Sequence, residues 1–441
     1  MPLQNLTRKI SLLQASSINM IDMVGIGPFV VMPMVIKTVG NNMFLWAWIF
    51  GAALALIDGM IWSELGATYP LAGGSYNFLK EAYGNKNGRL MSFLFVWQTC
   101  LQAPLVVASG AIGFAQYFSY LIPLSFIEKK IISGAVVLLI IFLLYRRIET
   151  IGKISVFLWA GVIITILWII ISGFTHSNVS YSCLPAENNS FFSLAFFALI
   201  GKASVQTIYS YLGYYNVCHL GGEIKNPQKN IPRSIFISIF GVAFLYLCMN
   251  VSIVSVVPWK EAMNSDFIVS TFMEKIYGTK AAMIATVLVL WIAFASLFAV
   301  LLGYSRVPYA AAADGRFFPE FAKLHPTKNF PYVSLLFIGG VGFVFSLLFK
   351  LKDVISAILA MRILVQFVAQ AIGVVQLRRR NGSKNLPFRM WLYPLPVILS
   401  IATWLFVFYS TGTVAFLGLL LIAVGAVVFY FTKNLWKDRE A

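Results

Sequence analysis

Glycines interrupt two long apolar stretches of this 441-residue sequence. The first stretch contains Gly25-Ile26-Gly27, and the sixth contains Gly213. A helix that is broken in an apolar environment exposes backbone groups, which need polar partners. In the first break, the freed amides and the positive end of the helix dipole suit a carboxylate. Carbonyls freed just before Gly213 suit an ammonium group, so the two breaks together are predicted to bind an α-amino acid.

Ionisable residues inside the apolar segments are the next candidates for chemistry: Asp22, Asp58, Glu64, Lys202 and Arg362. A charge near the centre of a membrane helix costs about 2.5–3.5 kcal/mol, so each is a functional candidate. Asp22 lies three residues before Gly25, on nearly the same helix face. We expect it to contact the substrate, to carry a proton or to form a buried structural pair. Arg362 is expected in a structural or gating pair, Glu64 in a structural role or the inner gate, and Asp58 has no assigned role.

The composition indicates that these residues are positioned by membrane helices. Hydrophobic residues make up 59% of the chain and charged residues 11%, whereas soluble proteins contain about 25% charged residues. Apolar runs of roughly 20 residues, the length that crosses a bilayer, recur along the chain. The twelve predicted helices occupy residues 15–39, 43–68, 88–119, 130–145, 151–173, 191–220, 232–257, 280–304, 331–349, 353–377, 390–409 and 413–432.

The net charge of +17 is distributed unevenly between the predicted loops. If the N-terminus is cytoplasmic, the loops on that side hold 23 lysines and arginines, and the opposite loops hold 8. This bias orients the chain with both termini in the cytoplasm, as a multi-pass protein of the plasma or inner membrane. The basic residues therefore indicate contact with anionic lipid headgroups rather than with nucleic acid.

The first ten predicted helices divide into two groups of five. Because five is odd, the second group enters the membrane from the opposite side, and the two glycine breaks fall in the first helix of each group. Broken helices at matching places in two halves are typical of transporters built from inverted repeats. The predicted organisation is a cytoplasmic N-terminus at 1–14, a first inverted repeat at 15–173, a second at 191–378, two extra helices at 390–432 and a cytoplasmic tail at 433–441.

Two longer motifs resemble a known family. They are Tyr69-Pro70-Leu71-Ala72-Gly73-Gly74-Ser75-Tyr76 and Lys225-Asn226-Pro227-Gln228-Lys229-Asn230-Ile231-Pro232. Together with the glycine break of the first helix, they resemble the signature of the amino acid–polyamine–organocation transporters over roughly residues 12–380. The resemblance implies an all-α membrane protein with a five-plus-five inverted repeat (LeuT-like) and discontinuous helices 1 and 6. It also implies that the chain moves amino acids or amines by alternating access.

The resemblance suggests roles for three further residues. An aromatic side chain at Tyr211 is a candidate gate over the substrate, and packing is the alternative. Lys153 is either a replacement for a sodium ion or an ordinary anchor at the cytoplasmic surface. Some polyamine and arginine transporters of this family have an acidic residue at the position of Tyr215. This chain has a tyrosine there, which disfavours a polyamine as the substrate. The predicted substrate-binding residues are Asp22, Gly25, Ile26, Gly27, Tyr209, Ser210, Tyr211, Leu212 and Gly213, and the gating or coupling candidates are Glu64, Lys153, Arg362 and Tyr215.

The remaining motifs exclude several functional classes. The sequence contains no catalytic constellation and no nucleotide-binding loop, so an enzyme and an ATP-driven pump are disfavoured. The four cysteines show no metal-site spacing, and no metal or cofactor is expected. Of these cysteines, only Cys183 lies in a predicted outside loop. A light chain that pairs with a heavy chain through a disulfide would be expected to have a cysteine in the loop between helices 3 and 4, at about 119–130. That loop has none, so a disulfide-linked heavy chain is not expected.

The sequence thus predicts a secondary active transporter of amino acids that is either a proton-coupled symporter or an exchanger. Two alternatives remain open at this point. One is a polyamine or amine exchanger of the same fold. The other is a membrane receptor that senses amino acids without transporting them.

Overall fold

The computed structural model describes residues 6–40, 43–177, 193–382 and 386–432. Cys183 and the tail at 433–441 lie outside these residues. The described chain is built from α-helices and contains no β-strand. The helices of its first half are α1 Leu12–Met23, α2 Gly27–Val39, α3 Phe44–Thr68, α4 Ser75–Leu121, α5 Phe126–Leu144 and α6 Ile148–Thr175.

Twelve further α-helices and a π-helix follow. They are α7 Leu194–Tyr211, α8 Asn216–His219, α9 Pro227–Val254, α10 Trp259–Ala262, α11 Ile268–Tyr277, α12 Thr279–Tyr304, α13 Arg306–Ala313, α14 Tyr332–Leu348, α15 Leu351–Arg362, the π-helix Ile363–Val368, α16 Ala369–Asn381, α17 Leu395–Ser410 and α18 Ala415–Thr432. Each of the twelve predicted segments overlaps at least one of these helices.

Seven helical stretches of the described chain are long and apolar enough to cross a membrane. The pair α1 and α2 meets the same test as one broken span with a bend of 42°, and α14 and α17 are shorter apolar helices. The prediction of an all-helical, multi-pass membrane protein is therefore confirmed. The count of twelve spans and the inverted repeat stay predictions.

Local chemistry sets where the helices begin. The Ser11 hydroxyl accepts from the amide of Gln14, whose side chain accepts from the amide of Ser11, and this capping box starts α1. Ser125 and Glu128 start α5 in the same way. Within α4, Gly84 adopts a φ of 71°, and this break in the helix precedes the apolar stretch Asn87–Leu121. The third membrane helix was predicted to begin at residue 88, but α4 already begins at Ser75.

The predicted outside loop between the seventh and eighth segments also contains helices. In α11, Ile268, Val269, Phe272 and Met273 are buried, and the helix packs on α12. Apolar residues at this spacing form one helix face, which stabilises a short helix through its packing. The outer surface of the bundle is apolar as well. Phe244 on α9 and Phe416 and Phe431 on α18 are largely exposed, as expected of side chains that face lipid.

Candidate substrate site

The two predicted breaks are present, and they lie side by side. The first separates α1 from α2, and the second separates α7 from α8. Two buried side chains connect them. The Tyr246 hydroxyl donates to the carbonyls of Met23, at 2.8 Å, and of Ser210, at 3.1 Å. Asn19 donates to the Tyr214 carbonyl at 2.7 Å and accepts from the Val217 amide at 2.8 Å. These bonds satisfy backbone groups that the breaks remove from the helices.

The approach of the breaks requires glycine. Gly213 has a φ of 121°, and a Cβ atom there would lie 2.8 Å from the Met23 nitrogen. A Cβ on Gly27 would lie 3.2 Å from both the Ser210 hydroxyl and the Tyr209 ring. Larger residues would therefore push the breaks apart or fill the space between them.

A cavity lies against both breaks. Ten of the predicted site residues line it: Asp22, Gly25, Ile26, Gly27, Tyr209, Ser210, Leu212, Gly213, Tyr215 and Arg362. The lining residues that we did not predict are Met23, Val106, Gly110, Ser296, Leu297, Val300, Tyr304 and Ile358. The cavity thus combines backbone from two broken helices with one acidic and one basic side chain, and its remaining walls are mostly apolar.

The start of α2 is the part of the cavity suited to an anion. Ile26 precedes this helix without a side-chain cap, and Pro28 occupies its first turn. Amides at an uncapped helix start need hydrogen-bond acceptors, and the helix dipole favours a negative charge there. Pro28 has no amide hydrogen, so it provides no donor at this position.

Arg362 is a buried cation at the end of α15. Its Nη1 donates to the Tyr215 hydroxyl at 2.6 Å, its Nη2 donates to the Tyr304 hydroxyl, and its Nε has no hydrogen-bond partner. The guanidinium also lies 5.9 Å and 5.7 Å from the centroids of these two rings. Within the described chain, no carboxylate lies within ion-pair distance of it.

Asp22 supplies the acidic group of the cavity. Its carboxylate lines the same cavity as Arg362, but it forms no ion pair with any described residue. The cavity therefore contains a carboxylate and a guanidinium that do not form an ion pair with each other.

The structure places three other candidates away from this cavity. Tyr211 packs against Trp48 and Tyr246, with ring centroids at 6.1 Å and 5.3 Å. Residues two apart on a helix differ in direction by about 200°, so Tyr211 and the cavity-lining Tyr209 point to different faces. Lys153 is exposed on the outside of α6, because its neighbours Gly152 and Ser155 form the buried face of that helix.

Glu64 belongs to a group of ion pairs at the predicted cytoplasmic end. Its carboxylate accepts two hydrogen bonds from Arg378, one of them at 2.7 Å, and one from the Met390 amide at 2.8 Å. Arg306 forms a buried bidentate pair with Glu223, with both bonds at 3.0 Å. These pairs connect segments that are far apart in the sequence, and such a connection is suited to an inner gate.

Several residues of the site were not predicted, although some carried a signal. Asn19 and Asn216 are polar residues inside apolar segments, and this pattern marks a buried hydrogen-bonding role. Tyr246, Ser296 and Tyr304 gave no such sign. Among the described residues there is no group of three or more histidine, cysteine, aspartate or glutamate side chains that is able to hold a metal ion.

Known amino acid transporters are similar to this chain over most of its length. A family model described as amino acid permease matches residues 10–435. The serine/threonine exchanger SteT of Bacillus subtilis (strain 168) is 26% identical over 411 residues, which cover 92% of this chain and 91% of the relative. Asc-type amino acid transporter 1 of Mus musculus is 25% identical over 447 residues, 98% of this chain and 82% of the relative. Large neutral amino acids transporter small subunit 2 of Homo sapiens is 26% identical over 444 residues, again 98% and 82%.

The named relatives are transporters and exchangers rather than enzymes. The family match extends over nearly the whole chain and includes both helix breaks, the cavity and the ion pairs at the predicted cytoplasmic end. The chain therefore belongs to the amino acid permease family of the amino acid–polyamine–organocation transporters.

Proposed function

We propose that this chain is a secondary transporter that moves amino acids across the membrane by alternating access. Transport is coupled either to protons or to exchange of one amino acid for another. The observation that carries the proposal is the cavity between the two helix breaks, which is lined by Gly25, Gly27 and Gly213 together with Asp22 and Arg362. The relatives named as amino acid transporters and as an exchanger support it.

In this proposal the substrate lies across both breaks. The α-carboxylate accepts from the Ile26 and Gly27 amides at the start of α2, where the helix dipole favours it. The α-ammonium group meets Asp22 and the carbonyls of residues 209–212. Tyr215 and Tyr304 hold Arg362 in place, and Glu64 with Arg378 contributes to closure on the cytoplasmic side.

The proposed architecture retains the twelve membrane spans, the inverted repeat of 15–173 and 191–378, and both termini in the cytoplasm. Lipid surrounds the bundle. We also propose that the chain works without a disulfide-linked heavy chain, because the segment between α4 and α5 contains no cysteine.

Arg362 argues against a polyamine as the substrate. A polyamine has no carboxylate to offset the charge of a buried guanidinium, so the cavity would hold like charges at short range. An amino acid brings an α-carboxylate together with its α-ammonium group. A receptor without transport remains the alternative of another class, and flux measurements separate it from a transporter.

The test uses the purified chain in proteoliposomes loaded with unlabelled L-serine, L-threonine, L-leucine, L-lysine or putrescine. Counterflow of the same labelled compound is then measured. We expect counterflow with at least one amino acid and none with putrescine. Binding without counterflow would indicate a receptor, and counterflow with putrescine alone would indicate an amine exchanger.

A further inference from the structure

Asp58 is a buried carboxylate that the proposed substrate site does not use. Its residue is 1% exposed. It lies 14 residues after the start of α3, about 21 Å along the helix axis at 1.5 Å per residue. It is therefore deep inside an apolar span. Within the described part of the chain, no lysine, arginine or histidine lies within ion-pair distance of it.

Three neutral groups donate hydrogen bonds to this carboxylate. The Tyr214 hydroxyl donates to Oδ2 at 2.5 Å. The Ser400 hydroxyl and the Trp404 indole donate to Oδ1 at 3.1 Å and 3.2 Å. Asp58 thus connects α3 to the break after α7 and to α17. An ionised carboxylate accepts all three bonds, which compensate part of its lost hydration.

Tyr214 connects Asp58 to the substrate cavity. It lies between Gly213 and Tyr215, which both line the cavity. Its ring is 5.0 Å from that of Tyr215, at an interplanar angle of 82°. Tyr215 in turn accepts a hydrogen bond from Arg362. A movement of the break that carries Gly213 therefore moves the hydroxyl that donates to Asp58.

The donors differ in what they are able to do when a proton arrives. A protonated carboxylic acid needs an acceptor for its own hydrogen, and an indole N–H only donates. A hydroxyl is able to reverse its role. If Tyr214 stays and the proton is on Oδ2, the Tyr214 hydroxyl turns from donor to acceptor. If Tyr214 leaves, the ionised form loses its shortest bond. Either way, the proton affinity of Asp58 and the position of Tyr214 are linked.

Among the described residues, Tyr214, from the break after α7, is the titratable side chain that contacts Asp58. From α9, Ile235 and Ile239 pack against α3 at Gly59, the residue after Asp58. On α17 the facing groups are the Ser400 hydroxyl and the Trp404 indole.

Charged side chains on the other helices that pack on α3 either form an ion pair with another residue or are exposed. Arg378 of α16 is bonded to Glu64, and Lys202 of α7 is exposed. Arg362 of the cavity connects to Asp58 through Tyr215 and Tyr214. A change of charge at Asp58 is therefore not masked by a counter-ion.

We propose that Asp58 is the proton-binding site that couples amino acid transport to proton movement. Asp58 is ionised while Tyr214 donates to it, and it binds a proton when the break around Gly213 moves Tyr214 away. The proton comes from water on the side to which the site is open, forms an O–H bond with the carboxylate, and returns to water on the other side. This inference rests on the proposed transport of amino acids, and it chooses proton coupling over pure exchange.

The test uses full-length protein in proteoliposomes, with the membrane potential clamped by potassium and valinomycin. The probe is the amino acid of the panel that the wild type exchanges fastest. With an inward pH gradient of one unit, one proton per substrate gives an accumulation of about tenfold. We expect the wild type to approach this value. Asp58→Asn should lose accumulation while keeping counterflow within about threefold of the wild type.

Tyr214→Phe and Tyr211→Phe are a matched pair. Both tyrosines are buried at the same break, but the Tyr211 hydroxyl has no hydrogen-bond partner. We expect Tyr214→Phe to reduce accumulation and Tyr211→Phe to retain it. If Asp58→Asn does not fold, this pair decides the question, and equal accumulation in the two variants would overturn the proposal.

The outcomes separate the inference from the function on which it rests. Accumulation of about tenfold by Asp58→Asn would overturn the role of Asp58. Wild-type counterflow without any response to the pH gradient would overturn proton coupling and leave amino acid exchange standing. Absence of wild-type counterflow with every amino acid would overturn the proposed function itself.

Discussion

Gly213 lies so close to Asp22 that a β-carbon on Gly213 would be 2.9 Å from the Cγ atom of Asp22. The two residues belong to the two broken helices, so this contact measures how closely the breaks approach. Both also line the cavity. The space for a substrate is therefore defined by backbone on both sides, and small changes in side-chain volume at these positions should have large effects.

Gly213→Ala should abolish transport. The substitution adds an overpacking cost of about 1–3 kcal/mol at the contact between the breaks, and it strains a φ of 121°. The measurement is counterflow together with the apparent melting temperature in detergent. Gly40→Ala is the control, because Gly40 has a φ of 79° and nothing within 4 Å of a built Cβ. Equal transport by the two variants would show that the contact is unimportant.

Gly27→Val should abolish transport and leave a folded, monodisperse protein. Its side chain would occupy space beside Ser210 and Tyr209, where we place the substrate carboxylate. Gly340→Val on α14 is the control, since a Cβ there meets nothing within 4 Å. Size-exclusion chromatography and counterflow measure the two properties. Normal uptake by Gly27→Val would contradict our assignment of the site.

Asp22→Asn should weaken substrate binding. If Asp22 holds the α-ammonium group, loss of the charge removes about 1.5–3 kcal/mol and raises the KM of uptake by roughly 10- to 150-fold. Glu149→Gln is a control, because Glu149 forms an exposed pair with Lys9. Concentration-dependent uptake measures the KM. A proton role for Asp22 would appear instead as lost pH-driven accumulation at unchanged KM.

Glu64→Gln should destabilise the protein by about 3–5 kcal/mol, because it leaves the buried guanidinium of Arg378 without its counter-ion. Lys275→Ala should cost about 1 kcal/mol or less, since the pair of Lys275 with Glu261 is exposed. The apparent melting temperature in detergent ranks the two variants. Equal melting temperatures would show that the Glu64–Arg378 pair does not stabilise the protein more than an exposed pair does.

Uptake should persist when sodium is replaced by choline. Arg362 already places a positive charge in the cavity, and no acidic cluster accompanies it in the described chain. Lys153, which the family resemblance suggested as a replacement for sodium, is exposed. A strict requirement for sodium would contradict this prediction and would point to a site built from carbonyl and hydroxyl oxygens.

The sequence located the two breaks because Gly25, Gly27 and Gly213 stand inside apolar segments, where glycine allows a helix to break. It did not determine which tyrosine faces the cavity. Tyr209 and Tyr211 differ by two residues, and the rotation of α7 about its axis decides between them. That rotation depends on packing against α3 and α2, which a single sequence does not record.

Long-range partners were equally hidden. Glu64 and Arg378 are separated by 314 residues, and Asp58 and Trp404 by 346. The cost of burying a charge predicted that each ionisable residue needs a partner, but gave no means of choosing it. Lys153 is a case in which the sequence suggested a role but not the direction of the side chain. Its position suggested a role in the site, and the burial of Gly152 and Ser155 turned it towards the outside.

The π-helix Ile363–Val368 separates Arg362 in the cavity from Arg378 at the predicted cytoplasmic end. A π-turn contains one residue more than an α-turn. It therefore changes the direction in which side chains after the π-helix point, relative to those before it. Deleting a single residue there would rotate the following half by about 100°. Arg362 would keep its orientation, and Arg378 would turn away from Glu64. The extra residue thus keeps the two arginines in register with their separate partners.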